Sequence, residues 1–440
     1  MDILSDYIID FQFTLPTKKI MRRFIYFVTA VLGMTLSSCS RDDGETAQQA
    51  VSTPGEISLT RVEKKMVADG NDFAFSLLHQ LDAEAGKSYV FSPMSVGYVL
   101  GMLSNGAAGS TQQEIAGVLG FAANSQQTVN NYFANMLLNT PQLDNEVTME
   151  IANALFTNST YDGAFLNSYM STLQQYYQAG MESANFTDAA ATAARMNSWC
   201  QEKTHGMIKD AVDKNAIRSY ALGAFLNSTY FSGKWATAFD ESKTAEAAFR
   251  LSDGNTVMLP VMTKIDTLGY MSDNQVQAVS LPYGKGNYQM VVLMPVKGST
   301  DEMVAQLSAK RFAAICQAMN PQTVEVKLPR YSTSISQSMN SLLQSMGLKV
   351  SLSDAADFSN ALSEQYHSKN LFSELKHVAH IEIDEAGTKA AAITSLWTYG
   401  DAGDNHKPEV RHFHATSPFV YIIYEQTTGA IFFIGKYVGK

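Results

Sequence analysis

The chain has 440 residues, of which 45% are hydrophobic, so it is long enough to bury a large core. Its net charge is −10 and no cluster of Lys and Arg stands out, which argues against nucleic acid as a partner. Length alone would suggest two or three domains.

The N-terminus is typical of a targeting segment. Arg22 and Arg23 precede an apolar run, 24–34, that is too short to span a bilayer and suits the core of a signal peptide. The predicted signal peptide is therefore 1–38. Residues 1–20 stand before the basic region, where a signal peptide would normally begin, so Met21 is a candidate for the true start.

The sequence Leu36-Ser37-Ser38-Cys39 resembles a bacterial lipobox. In such a motif Cys39 becomes the first mature residue and its thiol carries diacylglycerol; the alternative is a plain cleavable signal with an incidental Cys. Residues 39–60 are polar and predict a disordered tether. An acidic patch at 42–45 resembles an export signal of bacterial surface lipoproteins. We expect an outer-membrane or cell-surface lipoprotein, with a periplasmic or extracellular location left open.

Helical patterns dominate the first half of the chain and strand patterns the second, which predicts an α+β fold. Asn71 and Asp72 predict the start of a helix with one apolar face. Thr111 and Glu114 have the spacing of a capping box. The apolar face along 165–177 predicts a helix that lies across the main sheet.

Strands are predicted at several places by alternation or by short apolar runs. The segment 147–151 alternates, 221–231 is largely apolar, and 283–287 is a predicted tight turn. The segment 378–384 predicts a half-buried strand and 418–423 a buried one. Rigid strands therefore flank whatever lies between 384 and 418.

The residues between those two strands are the most informative in the chain. Residues 385–394 are small, and 395–412 predict a long exposed loop, a feature that is usually functional or disordered in a compact domain. As a strand, Thr388, Ala390 and Ala392 would share one face with Thr394. Taken alone, these residues favour a helix, because Ala is the strongest helix former.

The segment resembles the hinge of the serpins, whose pattern is an acidic residue, any residue, Gly, Thr, a charged residue and then a run of Ala. The matching residues are Glu385, Gly387, Thr388, Ala390, Ala391 and Ala392. Other serpin-like motifs follow in the family's order, including Phe91-Ser92-Pro93-Met94-Ser95, the segment from Asn227 to Trp235, and the closing segment from Gly429 to Lys436. The resemblance covers 61–440.

The resemblance implies a single α+β domain at 61–440 with three β-sheets, eight or nine helices, and a hinge and reactive-centre loop at 385–412. It implies an irreversible suicide inhibitor of serine or cysteine endopeptidases, not an enzyme, and a monomer. The target protease cleaves the loop and forms an acyl-enzyme, and the freed hinge then inserts into the central sheet. The alternative is a non-inhibitory serpin that acts as a chaperone-like or surface-binding protein.

The resemblance also assigns a gate that lets the sheet open. Ser92, Ser95, Asn227 and His377 would form a switchable polar network under the sheet, and Trp235 would lie at its top, where insertion begins. The alternative is that each is an ordinary core residue with its hydrogen bonds satisfied.

The scissile bond follows by counting. In inhibitory serpins the acidic hinge residue is usually the seventeenth before that bond, which from Glu385 gives Asp401-Ala402. An acidic residue there would suit caspase-like or granzyme-like enzymes. Because the loop is longer than usual, the bond can shift: Trp397 or Tyr399 would suit a chymotrypsin-like pocket and Ala402 an elastase-like one.

The chain offers no catalytic constellation of its own, since it has neither Gly-x-Ser-x-Gly nor His-Glu-x-x-His. His377 with His380 and His412 with His414 are close in sequence but lack carboxylate or Cys partners at a suitable spacing. The sequence therefore predicts no metal and no cofactor.

Cys200 and Cys316 are the cysteines of the predicted domain. Each falls in an apolar helical pattern, which favours two buried free thiols over a single disulfide.

Overall fold

The computed structural model describes residues 55–83, 87–367, 375–388 and 409–439. Several predicted features lie outside these ranges: the signal peptide, the part of the tether at 39–54 with Cys39, the hinge residues Ala390, Ala391 and Ala392, and the bond between Asp401 and Ala402. The last six residues of the predicted tether, 55–60, are described and contact the domain, since Ile57 is buried and the Gly55 carbonyl accepts from the Asn287 amide at 2.7 Å. Within the described residues, no helix is both long enough and apolar enough to cross a bilayer.

The described residues form nine α-helices. They are α1 Arg61–Ala83, α2 Pro93–Gly106, α3 Gly109–Val118, α4 Gln126–Asn139, α5 Asn167–Tyr177, α6 Ala189–Lys203, α7 Thr300–Gln306, α8 Ala309–Ala318 and α9 Asn340–Met346.

Three predictions about the helices are wrong. α1 begins at Arg61, where Thr60 and Glu63 exchange capping hydrogen bonds, so Asn71 lies inside the helix and its side chain donates instead to the carbonyl of Gly429 at 2.8 Å. Thr111 and Glu114 form no capping box. The Glu114 carboxylate accepts backbone N–H bonds from the segment that follows α9, because a buried loop must satisfy its donors.

The third error concerns which helix crosses the main sheet. α5, predicted for that position, packs on α2 and α4, whereas α6 contacts β4 (Gly223–Lys234) of the six-stranded sheet. The aromatic face of α5 is buried against other helices, and periodicity alone does not say which partner covers an apolar face.

Fifteen strands complete the described fold. They are β1 Tyr89–Phe91, β2 Val147–Asn158, β3 Gly180–Ala184, β4 Gly223–Lys234, β5 Ala245–Arg250, β6 Thr256–Ser272, β7 Val276–Tyr283, β8 Tyr288–Pro295, β9 Asn320–Pro329, β10 Tyr331–Ser338, β11 Lys376–Ile383, β12 Gly387–Thr388, β13 Arg411–His414, β14 Phe419–Glu425 and β15 Ile431–Tyr437. The predicted strands correspond to β2, β4, β11 and β14, and the predicted turn joins β7 to β8. The strand β13 begins at Arg411, so the predicted loop does not extend as far as 412.

The strands form one sheet of six, in the order β10-β11-β12-β4-β2-β3, and one of nine, in the order β1-β15-β14-β8-β7-β6-β9-β13 with β5 paired to β6. The α+β class is confirmed. Two of the three expected sheets are continuous among the described strands, because the 17 residues of β6 pair first with β5 and β9 and then with β7.

The core lies between the two sheets. α2 contacts β4 of one sheet and β15 of the other, and nearly all of its residues are buried. Its first residue is Pro93, a favoured residue at that position, and Ser92 caps the helix by accepting from the backbone N–H of Ser95. The capped end of α2 therefore lies under the six-stranded sheet, between β4 and β11.

Candidate functional site

The hinge begins with a tight turn at the end of β11. The Asp384 carboxylate accepts backbone N–H bonds from Ala386 at 2.9 Å and Gly387 at 3.0 Å, and the Asp384 N–H donates to the Gly387 carbonyl at 2.9 Å. Asp favours such turns because its short side chain reaches backbone donors two residues ahead. Burial outweighs these bonds and raises the pKa of the Asp384 carboxyl above its usual value.

Gly387 is required by its surroundings. Its φ of 147° lies in a region that side chains rarely allow, and a Cβ there would stand 2.1 Å from the carbonyl oxygen of Gly233. The turn therefore brings the hinge backbone so close to β4 that a side chain at this position would push the two apart.

The strand β12 is inserted between β11 and β4, antiparallel to both. Thr388 lies opposite Ile383 on one side and Gly233 on the other. Its side chain is fully buried, its hydroxyl shares a hydrogen bond of 2.9 Å with the hydroxyl of Tyr283, and its carbonyl accepts from the Ser232 hydroxyl at 3.2 Å. The first inward residue of the hinge is thus already a sheet residue.

Trp235 fixes the hinge turn from the end of β4. Its indole N–H donates to the carbonyl of Asp384 and its backbone N–H to that of Ala386, each at 2.9 Å. The indole stacks on the Tyr283 ring with centroids 4.4 Å apart. Trp235 therefore lies at the top of the sheet, where the hinge passes between the strands.

Glu385 ties the hinge to two other segments. One carboxylate oxygen accepts from Arg330 at 2.5 Å and from the Thr244 hydroxyl at 2.6 Å, and only 5% of the side chain is exposed. Burial raises the pKa of Glu385, but the bonds from Arg330 and Thr244 outweigh it and leave that pKa below its usual value. The acidic residue of the hinge motif is therefore an ionised anchor.

The four predicted gate residues lie together beneath the sheet. The backbone N–H of Ser92 donates to Nε2 of His377 at 3.1 Å, and the backbone N–H of Ser95 donates to the Ser92 hydroxyl at 3.1 Å. The Ser95 hydroxyl donates to the amide oxygen of Asn227. The end of α2 thereby connects β11, which carries His377, with β4, which carries Asn227.

The network continues through Asn153, a residue that the sequence argument missed. The Asn227 amide donates to the Asn153 side-chain oxygen at 2.7 Å, and the Asn153 amide donates to the carbonyl of Tyr177 at 2.7 Å. The usable signal was a polar side chain within the apolar half of β2, which must find partners when buried.

His377 is neutral in this environment. Burial lowers the pKa of its imidazole to about 4. Because Nε2 accepts the Ser92 N–H, the neutral ring carries its proton on Nδ1. A second proton would turn that acceptor into a donor facing a donor, so protonation breaks the connection from α2 to β11.

A cavity of about 100 Å³ lies in the seam between β4 and β11 at the level of the gate residue Asn227, on the side of the sheet that α6 covers. Its wall includes Met196 and Cys200 of α6, Leu226 and Ser228 of β4, and Val378 of β11. The Ser228 hydroxyl is buried with no hydrogen-bond partner among the described residues. The seam is therefore loosely packed where α6 covers it.

The two pairs of histidines that are close in sequence have different surroundings in the fold. His377 is buried and His380 half-buried on opposite faces of β11, so they do not form a pair. The prediction that His412 and His414 lack a carboxylate partner is wrong, because both contact Glu325 of β9. That partner is 87 residues away in sequence from His412, beyond the reach of a spacing argument.

Cys200 and Cys316 are both free, as the sequence favoured, but only Cys200 is buried, whereas Cys316 is half-buried. Burial raises the pKa of the Cys200 thiol to about 12 and that of the Cys316 thiol to about 11. Both thiols are therefore protonated at neutral pH and weak as nucleophiles or ligands.

Comparison with known proteins gives a consistent result. The family model described as serpin (serine protease inhibitor) matches residues 68–439. Serpin B6 of Bos taurus is 31% identical over 375 residues, covering 83% of this chain and 97% of that protein. Corticosteroid-binding globulin of Ovis aries is 28% identical over 395 residues, covering 89% of each.

A solved structure, that of the thermophilic serpin tengpin in its native state, superposes with a TM-score of 0.77 at 25% identity, covering 87% of this chain and 96% of tengpin. The hinge turn, the inserted β12 and the polar network under the sheet thus occur in a chain that matches one family along most of its length. The protein belongs to the serpin family.

Proposed function

We propose that this protein is an irreversible suicide inhibitor of serine or cysteine endopeptidases, which traps the acyl-enzyme by inserting its cleaved loop into the six-stranded sheet. Serpins are mostly protease inhibitors, and some are carriers. The observation that carries the proposal is the position of β12: two residues of the hinge already form a strand between β11 and β4.

We infer the path of insertion from the registers of β12. Thr388 lies opposite Ile383 and Gly233, so each further residue would pair one step lower on both neighbours. Continued in register, Thr394 would come opposite His377 of β11 and Asn227 of β4. The inserting strand would therefore reach both sides of the polar network at the same residue.

The side chains on the inward face suit that path. The positions that share a face with Thr388 are Ala390, Ala392 and Thr394. They are small, and none is charged. Their in-register neighbours on β11 would include Ile381 and Ala379, which are buried, so small apolar residues match the space between the sheets.

The gate is inexpensive to open. The connection between β11 and β4 through α2 consists of single hydrogen bonds, each worth about 0.5–1.5 kcal/mol net. A folded domain is stable by roughly 5–15 kcal/mol. Opening the seam therefore need not unfold the protein, while the closed network still opposes insertion before the loop is cut.

The experiment is incubation with a panel of serine and cysteine endopeptidases. We expect a complex that survives SDS and contains one protease per inhibitor, with cleavage mapped by mass spectrometry to Asp401-Ala402. Cleaved protein without complex should melt at a higher temperature than the intact protein, because the loop has become a strand. Cleavage with neither a complex nor a raised melting temperature would refute the proposal.

The alternative, a non-inhibitory serpin acting as a chaperone-like or surface-binding protein, is favoured by one comparison, since the sheep relative is named for binding corticosteroid. The same experiment separates the two, because a carrier of this kind would give no covalent complex with any protease of the panel.

The proposal extends to location. Cys39 would carry a lipid that anchors the inhibitor, as a monomer, to the outer membrane or cell surface, in reach of extracellular or periplasmic proteases. A labelled fatty acid should be incorporated into the wild-type protein and not into Cys39→Ser. Equal labelling of the two would exclude lipidation at this residue.

A further inference from the structure

We propose that Glu325, His412 and His414 form a binding site for Zn²⁺ at the edge of the nine-stranded sheet. The site lies away from the hinge and the gate, on the strand that follows the reactive-centre loop, and does not depend on the proposed inhibition.

The fold brings the three side chains to one face. His412 and His414 are two residues apart on β13, so both imidazoles lie on the same side of the strand. Phe413 between them is fully buried, which fixes the strand with its imidazoles outward. β13 pairs in parallel with β9, and His412 lies directly opposite Glu325.

The ligand atoms already converge. Nδ1 of His412 and Nε2 of His414 each lie 2.8 Å from the same carboxylate oxygen of Glu325, and all three atoms lie within 4.8 Å of one another. Zinc bonds of about 2.0–2.2 Å in tetrahedral geometry place ligand atoms about 3.3 Å apart. To admit the ion, the two O···N distances would lengthen by about 0.5 Å, and side-chain rotation would bring the two imidazole nitrogens, which lie within 4.8 Å of each other, to the same separation.

The chemistry of the set also fits zinc. Two imidazoles and one carboxylate are a common zinc donor set that leaves a fourth position for water. Exposed fractions of 63% for the His412 side chain and 36% for that of His414 allow water to reach that position. Lys327 lies opposite His414 and counts against a dication, but Lys is flexible and can turn its ammonium away.

The alternative to a metal site is two histidines that simply hydrogen-bond to a carboxylate. The chain supplies a comparison, because His205 and Glu150 form one such pair at 3.0 Å with a similarly exposed imidazole. That pair offers two ligands, which hold zinc weakly, whereas the proposed site offers three. Variants of the two sites therefore distinguish a metal centre from an exposed histidine.

Zinc here would cross-link two strands. β13 is the last strand in the order of its sheet and pairs with β9 alone in the described structure. It begins three residues after 389–408, which carry the predicted scissile bond. A bond from the metal to both strands would fasten the C-terminal end of that segment to the sheet.

The test uses the full chain without a polyhistidine tag and with Cys39→Ser, so that neither a tag nor that thiol binds metal. After treatment with EDTA, titration calorimetry with ZnCl₂ should show one site per chain, and zinc should raise the melting temperature by about 2 °C or more. Co²⁺ should give the visible absorption of a tetrahedral site.

His412→Asn and His414→Asn should each weaken zinc binding by at least about tenfold, as should Glu325→Gln, and the double His variant should abolish it. His205→Asn should bind zinc like its parent. Melting in EDTA shows whether each variant is folded. The proposal fails if no saturable site is found, or if a folded double variant binds zinc as tightly as its parent.

Discussion

Replacement of Thr388 by Lys tests the insertion path most directly. Thr388 is fully buried between β11 and β4, and its hydroxyl contacts that of Tyr283. A Lys ammonium at this position would be removed from water, and the contacts of Thr388 include no carboxylate that could pair with it. We expect the variant to expel β12 from the sheet, to be cleaved normally in its loop, and to form little covalent complex.

The magnitude follows from the cost of burying the charge. An unpaired ion in a protein interior costs several kcal/mol after relaxation. Each 1.36 kcal/mol slows a step tenfold. A penalty of about 3 kcal/mol therefore slows insertion about 100-fold relative to deacylation, and most acyl-enzyme then hydrolyses. Thr388→Val, which only removes the hydrogen bond to Tyr283, should cost about 1 kcal/mol and give a severalfold effect.

The assay is the number of inhibitor molecules consumed for each protease inactivated, measured with a protease that the wild-type protein traps. The matched control is Lys389→Thr, which alters the neighbouring residue on the opposite face of the proposed strand and should leave that number unchanged. The reasoning is wrong if Thr388→Lys, folded and cleaved, yields as much covalent complex as the wild-type protein.

Three further predictions concern the gate and the hinge turn. Burial depresses the pKa of His377 to about 4 in the folded state, below its unfolded value near 6.5. About 3 kcal/mol of stability is therefore present above pH 6.5 and is lost as the pH falls through 4. Urea unfolding from pH 7 to 4.5 should show this loss of stability, and His377→Gln should make the loss smaller. Trp235→Phe keeps the stacked ring but removes the donor to Asp384, so amide hydrogen exchange of the hinge turn should accelerate severalfold, corresponding to about 1 kcal/mol. Gly387→Ala places a Cβ against the carbonyl of Gly233 and should expel β12, which exchange at Thr388 would reveal; unchanged protection there would contradict the clash.

Much of the sheet framework could be predicted from local pattern. The alternating segment 378–384 corresponds to β11 and the apolar run 418–423 to β14. A strand buried on one face alternates between apolar and polar residues, whereas a strand buried on both faces is apolar throughout. The helix start predicted at Asn71 was wrong because a side chain of a type that caps helices can also hydrogen-bond to backbone far away in sequence, here to the carbonyl of Gly429. The covering of the sheet by α6 was not predictable, since it depends on which of several apolar helices meets β4.

The site shows the same limit. The hinge motif pointed to Gly387 and Thr388, but their insertion between β11 and β4 is a property of pairing that no single segment encodes. Glu325 was missed because a parallel ladder, not the sequence, brings it beside His412. Tyr283, whose hydroxyl meets Thr388, belongs to the other sheet and became relevant only once the two sheets packed together.

The six-stranded sheet has one weak line, and the three parts of the candidate site lie along it. β4 pairs with β2 continuously from Val147 to Thr157, and β10 pairs with β11 along the whole of each strand. Between β4 and β11, in contrast, the described ladder is the two-residue strand β12. Below it lie a polar network that opens by exchanging hydrogen bonds and, at the same level on the side covered by α6, a cavity.

Each of these three features can yield at a cost far below that of disrupting packed apolar strands, which would expose side chains worth about 1.5–3 kcal/mol apiece. A strand added to this sheet would therefore separate β4 from β11 and leave the ladders on either side intact. The cleaved form should accordingly show unchanged hydrogen exchange in β2 and β10, while β4 and β11 gain protection along the edges that pair with the inserted strand.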